Sequence, residues 1–347
     1  MTKKRLGRQT VFLESCPSVA AAACVVGKKE GEGPLRKWFD YISEDSYFGQ
    51  KSWEAAETEM GRRCLDAVCR KAGVTPGALN LVLGGDLQNQ CTAVSYALRD
   101  AGAPYFGLYN ACATFGEALC LGAVLTDGGL GQVCALTSSH FSTAERQYRG
   151  PLEYGGQRTP TAQWTVKGAG AVILRPSGAG PRITHVTAGR IVDAGVKDLG
   201  NMGAAMAPAA LDTLLGHFAD TGRDPAYYDA VITGDLGSFG HAILEDLLRD
   251  EGMEIPCTFT DCGMLMFDPQ AQDVHAGGSG AGCSASVFSG HILRNLQEGV
   301  WDRVLFAPTG ALMSVTTSQQ GESIPAVCHA VVLENASGAG EETVCSI

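Results

Sequence analysis

No two of the thirteen cysteines stand in Cys-x-x-Cys spacing, and their number is odd. That excludes a disulfide framework and a zinc ribbon, and the thiols are expected to be reduced, as in a cytoplasmic-type compartment. Basic residues are scarce: 26 Lys and Arg face 37 Asp and Glu, for a net charge of −11, with no basic block beyond Lys3-Lys4-Arg5. Nucleic acid is therefore not an expected partner. Long apolar runs are missing as well. Val19 to Val26 is apolar over only eight residues, well short of a bilayer span, and no signal-peptide pattern opens the chain. The expectation is a soluble protein, or one held on a membrane by other proteins.

What the chain does have is apolar content and glycine. At 347 residues and 45% apolar composition, it is too long for one small core and rich enough to fill two domains or one large pseudo-duplicated unit. The 45 glycines are scattered between apolar runs, which predicts tight turns and close backbone approaches rather than a linker. Thr10 to Leu13 reads as a strand, and Lys28 to Tyr47 as a surface excursion. The spacing of Ala56, Met60, Cys64, Ala67 and Val68 predicts a helix over 53–72, closed by Gly73. Leu79 to Leu83 reads as a buried strand entering Gly84-Gly85-Asp86-Leu87, followed by a helix through Leu98. A strand at 103–108, a helix at 114–125 and a strand at 132–137 complete an α/β alternation with parallel pairing. Ser138 to Gln163 reads as a long irregular stretch, of a length that is usually functional. A strand at 165–174 follows it, and 175–181 is the best boundary, giving halves at 1–178 and 182–347.

The second half repeats the first. A strand at 228–233 enters Gly234-Asp235-Leu236, matching Gly85-Asp86-Leu87 at an offset of 149 (234 − 85). Gly277 to Ser286 opens a helix running through Leu296, and Arg303 to Ala307 reads as a strand. Gly282 matches Cys112 at an offset of 170 (282 − 112). Two strand–helix units with the same turn types in the same order imply a pseudo-twofold arrangement.

The turn at Tyr109-Asn110-Ala111-Cys112-Ala113-Thr114-Phe115-Gly116-Glu117-Ala118-Leu119 organises the rest. Cys112 lies between a strand and a helix, at the positive end of the helix dipole, which favours thiolate. The position suits a nucleophile or one wall of an anion pocket; a small buried apolar residue is the plainer alternative.

These residues resemble the nucleophile turn of the thiolase-like superfamily, of ketoacyl synthase III and chalcone synthase type. Lys167 to Leu174 is similar to the glycine-rich strand closing the first half of those proteins, and Gly280 to Ser286 to their second-half glycine turn. The resemblance implies a layered αβαβα fold of two similar halves and commonly a homodimer. It also implies a catalytic histidine just after the first strand of the second half and an asparagine in the second glycine turn, which drive decarboxylation and stabilise the enolate oxyanion. Here the first place reads Ile232-Thr233-Gly234-Asp235-Leu236 and the second holds Ala281. His241 and His275 are displaced, and Cys328 precedes His329 inside a strand-like run, without the late turn of a thiolase.

Further segments resemble a noncatalytic sporulation branch of that superfamily: 86–90, 137–147, 153–157, 206–210 and 276–280. What this implies is binding of dipicolinic acid, alone or with Ca2+, by a cytoplasmic protein peripheral on the inner membrane of the forespore or spore. Its partners would be the membrane proteins of the SpoVA channel assembly that moves the acid during sporulation and features in germination. No cofactor and no resident metal site are expected. The expected ligand-binding set is Asp86, Asn89, Cys112, Gly278, Ser279, Gly280, Cys283 and Thr309, with two helix N-termini offering N–H groups to a flat dianion. Asp86 fits two roles, a ligand to chelated calcium or a turn-capping carboxylate. Arg146, Arg149 and Arg158 in the long loop are candidates to neutralise the ligand, a solvated basic surface being the commoner fate of such residues. A divergent condensing enzyme using Cys112, and a pure assembly scaffold, are the competing functions.

Overall fold

The computed structural model describes residues 4–148 and 157–335. Its main strands are β1 (Thr10–Phe12), β2 (Ser18–Gly27), β3 (Leu81–Gly85), β4 (Tyr105–Gly107), β5 (Val133–Ser139), β6 (Gly168–Arg175), β7 (Arg182–Thr187), β8 (Ala230–Gly234), β9 (Thr258–Asp261), β10 (Arg303–Ala311), β11 (Ala326–Cys328) and β12 (Ala330–Glu334). The helices that matter here are α1 (Trp53–Ala72), α2 (Thr92–Leu98), α3 (Thr114–Asp127), α4 (Phe141–Tyr148), α5 (Met202–Thr221), α6 (Gly237–Asp250), α7 (Cys262–Met266) and α8 (Ala281–Val287).

The strand order β9-β8-β10-β12-β7-β2-β6-β5-β3-β4 reads the same from either end. β3 lies parallel to β4 and β5, while β6 runs antiparallel to both β5 and β2. In the same way β8 lies parallel to β9 and β10, while β12 runs antiparallel to both β10 and β7. Strands buried on both faces read as continuous apolar runs, which is why the alternation of strands and helices was legible without any polar/apolar period. The halves meet at Arg182 opposite Ser18, and β1 reaches across to pair with β7.

Local signals set the helix ends. Ser52 accepts from the Ala55 amide at 3.2 Å to open α1, and Gly73 closes it at φ +70°, as its lack of a Cβ permits. α3 is apolar nearly all round because it lies between layers: Phe115, Ala118, Leu119 and Ala123 are fully buried. The Phe115 ring sits 5.4 Å from Phe288 and 6.3 Å from Phe306, and those two are 4.8 Å apart. This aromatic cluster joins a first-half helix to the second half.

Several elements differ from expectation. The stretch 138–163 is not irregular throughout, because α4 occupies 141–148. Its few apolar residues give a weak pattern, and tertiary contacts supply what the pattern lacks: Phe141 stacks on Trp164 at 3.8 Å. Residues 28–47 hold a short helix at Lys28–Gly31 and a strand at Tyr41–Ser43 that pairs with β2. The second glycine turn opens with a two-residue strand, Gly278–Ser279, paired to Trp164–Thr165. The helix beyond it passes through a π-helical segment at Phe288–Ile292. All twelve cysteines among the described residues are free thiols.

Candidate functional site

The turn after β4 is built by Thr114. Its hydroxyl donates to the Ala111 carbonyl at 2.6 Å and accepts from the Asn110 amide at 3.1 Å. Ala111 is thereby held at φ +49°, a left-handed conformation that a non-glycine residue adopts at a cost of about 1–3 kcal/mol when the surroundings impose it. Cys112 follows in a single 3₁₀ turn, half-buried, and α3 begins at Thr114. Cys112 packs against Leu87, Ala144, Ala281 and Tyr148. Those four come from the loop after β3, from α4 and from the start of α8, so the two glycine turns do converge.

The second turn is clamped from β5. Thr137 Oγ1 donates to the Ala281 carbonyl at 2.7 Å, and the Gly282 amide donates to Ser139 Oγ at 3.1 Å. Gly282 is required by close approach: a Cβ there would lie 2.0 Å from the Gly168 carbonyl oxygen. Gly280 sits at φ +113° ahead of the helix. The carbonyls of Gly277 and Ser279 accept from the amides of Trp164 and Val166, both at 2.8 Å. Cys283 is fully buried, and its thiol pKa is raised by burial and by the surrounding Asp235, Cys262, Asp261 and Cys112.

Asp86 is fully buried and turns into its own loop, accepting from the amides of Gln88 and Val94, both at 2.8 Å. Of the two roles open to it, the loop-holding one is the one its contacts serve. Burial pushes its pKa up to about 6. Beside it Glu57, also buried, accepts from Gln88 Nε2, Ser138 Oγ and Thr143 Oγ1 at 2.7–3.0 Å. Burial and the Asp86 charge push Glu57 up to about 8. In the second half Asp235 is fully buried at φ +72°, with Asp261 close by. Asp261 accepts from Thr233 Oγ1 and from the amides of Leu236, Gly237 and Gly263.

Thr309, on β10, is fully buried, and its hydroxyl donates to the Gly234 carbonyl. The next residue, Gly310, lies against the Cys112 turn, where a Cβ would meet Asn110 O and Ala113 N at 2.7 Å each. His329 stands in the break between β11 and β12. Its Nδ1 accepts from the Gly189 amide at 3.1 Å, and the Asn110 side-chain amide lies 2.8 Å from Nε2. A neutral ring accepting at Nδ1 carries its proton on Nε2, so Asn110 meets it with its oxygen. Burial pushes the His329 pKa down to about 4. Both ring nitrogens are occupied. The His241 ring lies tilted against Phe259, 4.4 Å between centroids, and His275 Nδ1 lies 2.7 Å from the Thr159 carbonyl oxygen.

The rim over Cys112 is aromatic. Tyr148 Oη donates to the Leu87 carbonyl at 2.6 Å and lies 2.7 Å from Tyr109 Oη. Exposed Asn89 belongs to this rim: its amide donates to Gln147 Oε1 at 3.0 Å. The arginines are committed elsewhere, Arg146 to Glu54 and Arg158 to Asp273. Arg149 and residues 153–156 lie outside the described residues. The region around Cys112 therefore brings together a half-buried thiol, two helix starts and two tyrosines, with buried acids nearby. Among the described residues, no group of three or more His, Cys, Asp or Glu is placed to hold a metal ion.

Sequence reasoning overlooked four participants: Asp261, the Asn110–His329 contact, Tyr148 and Ser284. The Gly-Asp-Leu repeat marked Asp235 as the partner of Asp86, but nothing local signals that Asp261 would take the second-half loop amides.

The chain matches the family model described as stage V sporulation protein AD over residues 7–334. It is 42% identical, over 337 residues, to stage V sporulation protein AD of Bacillus subtilis (strain 168), covering 97% of this chain and 99% of that one. Among solved structures, 3-oxoacyl-[acyl-carrier-protein] synthase III from Aquifex aeolicus VF5 superposes with a TM-score of 0.53 at 15% identity, covering 92% of this chain and 99% of that one. A histidine-to-asparagine variant of OleA from Xanthomonas campestris gives 0.58 at 13%, over 95% and 99%. At such identities the structures establish the thiolase-like α/β fold and nothing about chemistry.

Proposed function

Because the chain belongs to the stage V sporulation protein AD family, we propose that it serves sporulation as a noncatalytic binder of dipicolinic acid, taken as the free dianion or as its calcium chelate. What carries the reading is that Cys112 sits in a fully built turn, while the stretch Ile232 to Leu236 and Ala281 hold neither the histidine nor the asparagine that the resemblance to condensing enzymes leads one to expect there. The crevice suits a flat aromatic dianion, with Tyr148 and Tyr109 at its rim and the starts of α3 and the second-half helix beside Cys112. Backbone N–H groups at helix starts receive carboxylate oxygens without a mobile cation. Burial raises the pKa of Glu57 and of Asp235, which lowers the negative charge that those two hold against the ligand. No helix among the described residues is long and apolar enough to cross a membrane. Peripheral attachment on the forespore inner membrane through the SpoVA membrane proteins is part of the same proposal.

Calorimetric titration with dipicolinate, with and without calcium, tests it. Cys112→Trp should abolish binding without unfolding the protein, and Cys112→Ala should weaken it less, because the backbone donors remain. Unchanged affinity in Cys112→Trp would place the ligand elsewhere. The competing reading, acyl transfer, is favoured by the retained Cys112, while both nitrogens of His329 are engaged, by Gly189 and Asn110. Sustained product from acyl-coenzyme A thioesters that vanishes in Cys112→Ala would establish it instead. We also propose a homodimer through the β4 edge, where Phe106 and Tyr109 are half-exposed at the end of the sheet. Phe106→Asp should then yield a monomer in sedimentation.

A further inference from the structure

Beside the second glycine turn lies a carboxyl that its own fold leaves unused. Asp86 and Asp235 follow equivalent strands, but they end differently. Asp86 takes the amides of its own loop. In the second half the Gly237 N–H, which corresponds to that of Gln88, goes to Asp261 at 3.0 Å, as does the Leu236 N–H at 3.1 Å. Asp235 is left fully buried, with neither side-chain oxygen in a hydrogen bond of ordinary geometry. The amide of Gly280 is turned toward it, and its own carbonyl is tied to Gln163 Nε2. Ser284 Oγ, on α8 beside Gly234, is likewise buried without a partner. Unmatched buried polar atoms are costly, and such groups persist where something else satisfies them.

We infer that Asp235 is a ligand-binding group of this crevice, donating a hydrogen bond from its un-ionised carboxyl to a carboxylate oxygen of the bound dianion. The inference rests on the reading that the crevice takes a carboxylate ligand. The titratable groups facing Asp235 are Asp261 on β9, Cys262 at the start of α7 and Cys283 on α8; His241 on α6 faces Asp261. No cation is among them. Asp261, with its four donors, is the member of the pair that holds negative charge. Asp235 takes the proton, as burial and the neighbouring carboxylate both require. An acid O–H aimed at a carboxylate gives a short, charge-assisted hydrogen bond where an ionised Asp235 would repel the ligand.

Calorimetry of the full chain with dipicolinate, in wild type, Asp235→Asn and Asp235→Leu, decides it. Wild-type affinity should fall as pH rises through the raised Asp235 pKa. On the alkaline side, binding in two buffers of different ionisation enthalpy should report uptake of one proton. Asp235→Asn keeps a donor without a titrating group, so it should bind with little pH dependence and no proton uptake. Asp235→Leu should bind about tenfold to a hundredfold more weakly, with its melting temperature maintained. Wild-type affinity in Asp235→Leu, or a wild-type pH profile in Asp235→Asn, would overturn the assignment while leaving dipicolinate binding intact. Absence of binding in the wild type would overturn the underlying reading and this one with it.

Discussion

Glu30 offers a stability test that is independent of any ligand. It is fully buried after β2, with Oε1 accepting from the Lys167 amide at 2.9 Å and Oε2 without a partner. Burial pushes its pKa from 4.5 up to about 7, against smaller opposing effects of that amide, its own backbone and the Lys167 and Lys29 charges. A carboxyl raised in the folded state favours folding while protonated. Its contribution is fully present below the unfolded pKa near 4.5 and is lost as pH climbs through 7. The rise of about 2.5 on the pH scale, at about 1.36 kcal/mol each, corresponds to about 3 kcal/mol over the whole window. Glu30→Gln keeps the oxygen that receives the Lys167 amide and cannot ionise. The stability of Glu30→Gln relative to wild type should therefore increase by about 2–3 kcal/mol between about pH 5 and pH 8. Urea unfolding of both proteins at several pH values measures this, and the difference cancels the contributions of Glu57, Asp86, Asp235 and Asp261. Parallel curves across that range would refute the reasoning.

Two further outcomes follow from the packing. Phe115→Ala should cost about 3–5 kcal/mol, because the cavity opens between Phe288 and Phe306, which β10 and the second-half helix hold in place; a loss under about 1 kcal/mol in chemical denaturation would mean the layers collapse onto the gap. A fragment covering residues 1–178 should show no cooperative melt, since β1 loses its partner β7 and α3 loses its second-half cover; a sharp calorimetric transition in that fragment would count against it.

The sequence by itself determined whatever depends on neighbours along the chain. Helix α1 is legible because its apolar stripe, Ala56 to Val68, and its closing Gly73 lie close together in the chain. The Cys112 turn, the second glycine turn and the repeat offsets are legible because strand-to-helix turns need small residues at fixed places whatever surrounds them. From those came the thiolase-like fold and the convergence of Cys112 with Ala281. The tertiary structure alone decided how polar groups were shared between distant segments. Asp86 and Asp235 stand in identical Gly-Asp-Leu strings, yet one holds its loop and the other is displaced by Asp261, 26 residues further on. His329 reads as part of a strand run, and only the approach of β10 and β12 to the 109–114 turn sets its ring against Asn110, 219 residues away. Helix α4 has too few apolar positions to announce itself and forms where Trp164 and the Leu87 loop cover it. Hydrogen-bond donors and acceptors find their partners by position in space rather than by order in the chain, and the same three residues acquire opposite roles when the strand beside them brings a competing carboxylate.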